Sequence, residues 1–138
     1  GFEIKLDTRF NGYTKTPTGR LSIEFEEKQK GTNPVFVLSG IYRNDNSWLY
    51  IQGNPWCFYI FDKRVLQRLH KRKDKDGNPF YETAIWPPSN PTVKKFYLPV
   101  EDADKFCIKK VEPYGGTQST ENSILNFDTD NNGEGRMA

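Results

Sequence analysis

The sequence predicts one α/β domain in which a central mixed sheet is flanked by helices. Three observations carry that expectation. Polar and apolar residues alternate with period two from Phe2 to Asp7 and again from Leu21 to Lys28, as half-buried strands require. The apolar run Trp56–Phe61 hands over at Asp62 to helical spacing. The chain has 138 residues, 35% of them hydrophobic and 14% aromatic, which supplies one core and not two.

The elements follow in order. Phe2-Glu3-Ile4-Lys5-Leu6-Asp7 is a strand with Asp7 on its polar face, and Asn11-Gly12 and Pro17-Thr18-Gly19 punctuate the chain after it. In the second strand Leu21, Ile23 and Phe25 take one face, while Ser22, Glu24, Glu26 and Lys28 take the other. Gly31-Thr32-Asn33-Pro34 breaks the chain, Val35 to Leu38 reads as a short buried strand, and Ser39-Gly40 ends it. Trp48, Leu49 and Ile51 suit a short helix between Asn44 and Gln52, with Asp45 near its start. After the strand Trp56–Phe61, Asp62 caps a helix on which Val65, Leu66 and Leu69 form the apolar stripe, ending near Asp74. Asp76-Gly77-Asn78-Pro79 is turn chemistry and Phe80 to Ile85 a strand. Pro87, Pro88 and Pro91 force an irregular loop, and Phe96-Tyr97-Leu98 resumes extended structure.

Composition excludes several classes. No apolar stretch approaches the roughly 20 residues of a spanning helix, so no membrane segment or signal peptide is expected, and the chain reads as intracellular and cytoplasmic. Cys57 and Cys107 both stand among apolar residues and read as core packing in a reducing compartment. The net charge of +2 is too small to announce a partner, but its distribution is uneven. Seven Lys or Arg residues and His70 lie between Lys63 and Lys75, whereas the stretch from Glu112 to Ala138 holds five acids and one base. Residues 113–138, poor in apolar anchors beyond Ile124, Leu125 and Phe127, read as a flexible acidic tail to a domain spanning 1–112.

The chemistry most open to interpretation is carboxylate. Glu24 and Glu26, two apart on one strand face, would project side by side, and the preceding strand can bring Asp7 to them. Hard oxygens so grouped suit Mg²⁺, which accepts one or two carboxylates and keeps sites for water and phosphate. The same pattern is also what the solvated face of an amphipathic strand looks like.

The layout resembles the PD-(D/E)XK nuclease superfamily, particularly its phage-type and Holliday-junction-resolving members. The matching pieces are Asp7, the turn-rich Thr18-Gly19, Ile23-Glu24-Phe25-Glu26, Ser39-Gly40-Ile41 through Ser47-Trp48, and Phe58 to Leu66. They cover roughly residues 4 to 70. The resemblance implies a restriction-endonuclease-like fold over 1–112 and a metal-dependent endonuclease acting on DNA. Asp7 and Glu24 would hold Mg²⁺ or Mn²⁺ with Glu26, and Glu26 or Lys28 would orient the attacking water. The superfamily's third position is usually Lys, where this chain has Glu26. Its first helix would precede Asp7, where six residues stand, so a partner or further chain would supply that layer. The expected partner is DNA, with a homodimer compatible. The alternative is a module that kept the fold and DNA binding but lost cleavage.

Beside the acids, Arg64, Arg68, Lys71, Arg72 and Lys73 could grip phosphates, since backbone charge supplies most sequence-independent DNA affinity; they also suit an ordinary solvated helix. Trp56 and Trp86 could stack on unpaired bases, although core packing accounts for most such rings. His70 reads as a surface or capping residue rather than a general base. No glycine-rich phosphate loop, Cys/His zinc pattern or serine-nucleophile elbow is present.

Overall fold

A computed structural model describes residues 1–12, 17–28 and 35–114. The break at Gly31–Pro34 and most of the acidic tail lie outside the described residues. The chain forms β1 (Phe2–Leu6), β2 (Arg20–Lys28), β3 (Phe36–Leu38), a 3-10 turn at Gly40–Tyr42, β4 (Leu49–Asn54), β5 (Cys57–Asp62), α1 (Lys63–Lys71), β6 (Thr83–Trp86), β7 (Val93–Pro99), α2 (Val100–Phe106) and β8 (Lys109–Val111).

Among the described residues the architecture is mixed α/β with two four-stranded sheets and two helices, rather than the single central sheet expected. The first sheet runs β1-β4-β5-β8 and the second β3-β2-β7-β6. β1 lies parallel to β4, and the remaining neighbours are antiparallel. Leu21, Ile23, Phe96 and Leu98 of the second sheet meet Tyr50, Tyr59 and Phe61 of the first, together with Leu66 and Leu69 of α1 and Ala103 of α2, in one core. Among the described residues no helix is long and apolar enough to cross a membrane.

Several local expectations change. β3 is not a buried strand, since Val35 and Leu38 are exposed, and the strand expected over Phe80 to Ile85 spans Thr83–Trp86. Leu49-Tyr50-Ile51-Gln52 forms a strand, not a helix, because β4 is flanked on both sides, by β1 and β5, and every backbone group finds a ladder partner there. The helix after Asp62 stops at Lys71, three residues before Asp74. The predicted cap itself is present: the Arg64 N–H donates to Asp62 Oδ1 at 2.8 Å. Helix α2 and strand β8 carry no clear sequence pattern, being only seven and three residues long. Both cysteines are free thiols, and burial pushes that of Cys57 up to about 12.

The β2–β7 ladder contains a bulge. Glu24 pairs with Lys95, but Glu26 pairs with Lys94, which leaves Phe25 as the surplus residue. Cross-strand partners share a face and neighbours on β7 alternate, so Glu26 lies on the face of Lys94, opposite to Glu24 and Lys95. The single face expected for Glu24, Glu26 and Lys28 is therefore split.

Candidate active site

An open cleft of about 520 Å³ is lined by residues of both sheets, among them Lys5, Asp7, Arg20, Ser22, Glu24, Tyr50, Gln52, Trp86, Lys95 and Tyr97. Its acidic side is built on β1. Alternation sends Glu3, Lys5 and Asp7 to one side of that strand and the exposed Phe2, Ile4 and Leu6 to the other. Asp7 stands one residue past β1, and its N–H continues the ladder by donating to the Gly53 carbonyl at 2.8 Å.

Gln52 fixes Asp7. Its buried amide donates from Nε2 to Asp7 Oδ2 and to the Ser22 carbonyl, each at 2.7 Å, while its Oε1 accepts from the Tyr50 hydroxyl at 2.8 Å. The Ser22 N–H adds a bond to Asp7 Oδ2 at 3.1 Å. One carboxylate thus ties β1, β2 and β4 together. Burial raises the Tyr50 hydroxyl well above the ordinary phenol range, and the negative charges of Glu3, Glu24 and Asp7 push it further. All three carboxylates therefore lie within electrostatic reach of one ring.

Glu24 is held from the other side. The Ser39 hydroxyl donates to Glu24 Oε2 at 2.6 Å, and Gly40 follows at φ +56°, where a Cβ would lie 2.0 Å from the Glu24 carbonyl oxygen. Ser39-Gly40 is thus a cradle that only glycine completes. Lys5 stands between the acids, its Nζ 3.4 Å from Glu3 Oε2 and 3.9 Å from Glu24 Oε1. Behind it Lys63, the buried first residue of α1, ion-pairs with Glu3 Oε1 at 3.1 Å and Asp45 Oδ1 at 3.5 Å, its Nζ also donating to Ser47 Oγ at 2.7 Å.

Of the residues expected at the site, the structure brings Asp7 and Glu24 to one cleft and turns Glu26 and Lys28 away from it. Glu26 forms an ion pair with Lys94 at 3.2 Å, and Lys28 lies over the Phe36 ring at 5.4 Å. The cause is the extra residue at Phe25, which reverses the alternation; Glu27, opposite Val93, regains the cleft side. Among the described residues, no three His, Cys, Asp or Glu side chains form a group arranged to hold a metal. The donor set accommodates two carboxylates rather than three: Asp7 Oδ2 is committed to Gln52 and Ser22, and Glu24 Oε2 to Ser39. Two carboxylates with waters still fall within what Mg²⁺ accepts.

None of the expected basic residues lines the cleft. Arg64 is bound back to Asp62 at 2.7 Å, Lys71 reaches over Tyr42, and Arg72 lies over the Phe80 ring at 3.8 Å. Arg68 is exposed on α1, whereas Arg72 caps its C-terminus and Lys73 bridges to Pro79 beyond it. The cations beside the acids are instead Lys5, Arg9, Arg20 and Lys95. His70 is not a surface group. It is half-buried, with its ring 4.0 Å from Phe25 and its Nδ1 2.7 Å from the Tyr42 hydroxyl, and burial lowers its pKa.

Glu3 and Lys5 are candidates that the sequence reading missed. The signal that would have found them is Glu3-Ile4-Lys5 itself, an acid and a lysine two apart on the polar face of a strand. No protein family, curated protein or solved structure matches the chain.

Proposed function

We propose that this chain is a metal-dependent nuclease domain that hydrolyses DNA phosphodiester bonds in the cleft between its two sheets. The observation that carries the reading is the acid-x-lysine pair Glu3 and Lys5 on the same strand side as Asp7, with Glu24 facing them and Lys5 within 3.4 Å and 3.9 Å of two carboxylates. In this reading Lys5, two residues beyond Glu3 on β1, would take the part that the superfamily resemblance gives to a lysine two residues beyond an acid, since Glu26 is turned out of the cleft.

Asp7 and Glu24 would hold Mg²⁺ or Mn²⁺, which supplies a lowered pKa for bound water and neutralises phosphate charge. The remaining work falls to the chain. Gln52 and the Ser22 N–H keep Oδ2 of Asp7 fixed, while Oδ1 takes only a long 3.4 Å bond from the Arg9 N–H. Ser39 likewise fixes Oε2 of Glu24. The Lys5 ammonium offers positive charge to a phosphate oxygen as the transition state gathers charge, a kind of stabilisation worth roughly 10²–10³ in rate per group. Lys95, beside Glu24 on the second sheet, offers a further positive charge where strand phosphates would pass.

The test is cleavage of branched, single-stranded and duplex DNA with and without Mg²⁺ or Mn²⁺. Asp7→Asn, Glu24→Gln and Lys5→Met should each lower cleavage by at least ~10²-fold while the thermal midpoint stays near that of the parent. Retained metal-dependent cleavage in all three would overturn the assignment.

A second reading, a DNA-binding module without cleavage, is favoured by one feature: Lys5 already supplies positive charge to Glu3 and Glu24. Salt-dependent affinity for DNA with no cleavage under either metal would decide for it.

A further inference from the structure

The second sheet's side of the cleft, which runs on from Glu24 to the facing Lys95, alternates rings and cations. Trp86 ends β6, at the edge of the second sheet, and lines the cleft with its side chain 53% exposed. Lys95 Nζ stands 5.2 Å from its ring and 5.8 Å from that of Tyr97, and the Arg20 guanidinium lies 3.8 Å over Tyr97. Core packing does not account for Trp86, which lies outside the buried cluster.

We infer that the cleft takes its substrate as an unpaired strand, with a base lying on the Trp86 indole and the flanking phosphate on Lys95, while Arg20, ion-paired with Glu82 at 3.0 Å, holds the Tyr97 ring in place; this rests on the phosphodiester reading above. The geometry of nucleic acid supplies the reason. A base inside a duplex offers protein only its groove edges, because its faces are covered by neighbouring bases. A flat indole beside a hydrolytic centre is therefore useful only to a base that has left the stack. Rings interleaved with cations are what sequence-tolerant single-strand sites use, each stacked base contributing on the order of 10-fold in affinity.

The experiment is equilibrium binding of a labelled 12-nucleotide single strand and of the same sequence as a blunt duplex, in EDTA so that hydrolysis plays no part. The single strand is expected to bind at least ~10-fold tighter, with Trp86→Ala removing the preference and Trp86→Phe keeping most of it. Lys95→Gln should weaken both ligands and reduce the salt slope by about one. Thermal midpoints of the variants report that each remains folded. Equal affinity for both DNAs, or parental single-strand binding by Trp86→Ala, would overturn the inference. Adding Mg²⁺ or Mn²⁺ afterwards separates the two claims. A single strand held through Trp86 yet never cut sinks the nuclease reading and keeps this one; duplex cleavage without single-strand preference does the reverse.

Discussion

The Ser39 hydroxyl donates a 2.6 Å hydrogen bond to Glu24 Oε2, joining the end of β3 to the acid on the neighbouring β2. Its length is that of a charge-assisted O–H···O⁻ bond, the stronger class. Ser39→Ala should leave Glu24 free to rotate and cost about 1.5–3 kcal/mol if the carboxylate finds no other donor. Gly40→Ala should be worse, because its Cβ would meet the Glu24 backbone at 2.0 Å. Urea unfolding midpoints measure both, and a Gly40→Ala variant as stable as the parent would contradict the cradle.

Lys63 gives a second prediction. Its side chain is 5% exposed and is paired with Glu3, itself 14% exposed. Lys63→Met removes the more buried of the two cations on this carboxylate, Lys5 remaining 3.4 Å from its other oxygen, and with it the contacts to Ser47 and Asp45, and should destabilise by about 1.5–3 kcal/mol. Adding Glu3→Leu removes that charge and should recover a large part of the loss. If the double variant is no more stable than Lys63→Met alone, the pair is not what stabilises this corner.

The bulge separates two sets of acids and bases by experiment. Glu26→Gln and Lys28→Met should leave DNA cleavage within about twofold, while Glu24→Gln and Lys5→Met each lower it by at least ~10²-fold. Cleavage that falls with Glu26 and not with Lys5 would return the site to the face that Lys94 occupies.

His70 predicts the pH profile. Burial holds its pKa below the ordinary 6.5, against the pull of Glu26 and with the push of Lys73 and Lys71. The unfolded chain then takes up the proton more readily than the folded one, so stability is full above about pH 6.5 and falls as the pH drops through and below that value. His70→Phe keeps the ring beside Phe25 and Phe96 but carries no proton. Its thermal midpoint should change less than that of the parent between pH 7 and pH 5, and parallel profiles would show that His70 is not the titrating group.

β2 was legible because alternation is often an imprint of burial, whereas on β1 the same pattern misleads: its apolar Phe2, Ile4 and Leu6 are exposed and its polar face turns inward. Leu21, Ile23 and Phe25 are all buried, as their period demands. Asp62 announced its helix for a similar reason, since a cap is a local bond between residues two apart. Asp7 and Glu24 could be singled out, but what holds them could not. Gln52 lies 45 residues from Asp7, and its stretch reads as a helix until β1 and β5 claim it. The face of Glu26 was illegible for a subtler reason. A bulge is fixed by the partner strand, so nothing in Glu24-Phe25-Glu26 by itself tells two frames from one. The aromatic wall was likewise hidden, because Trp86, Lys95 and Tyr97 meet Asp7 only when the two sheets come together.

The surplus Phe25 has a consequence for how β2 bears change. The strand is read in two frames, Arg20 to Glu24 in one and Glu26 to Lys28 in the other, with Phe25 as the joint between them. Removing that one residue would keep every remaining β2–β7 partner, because the ladder already skips it, but would take out a buried ring that lies 4.0 Å from His70 and a carbonyl that accepts from the Ser39 N–H. An insertion two positions earlier would turn Glu24 out of the cleft and bring a core side chain in. Pairing and burial on this strand thus hang on different residues, and a change of length on either side of Phe25 gives up one or the other.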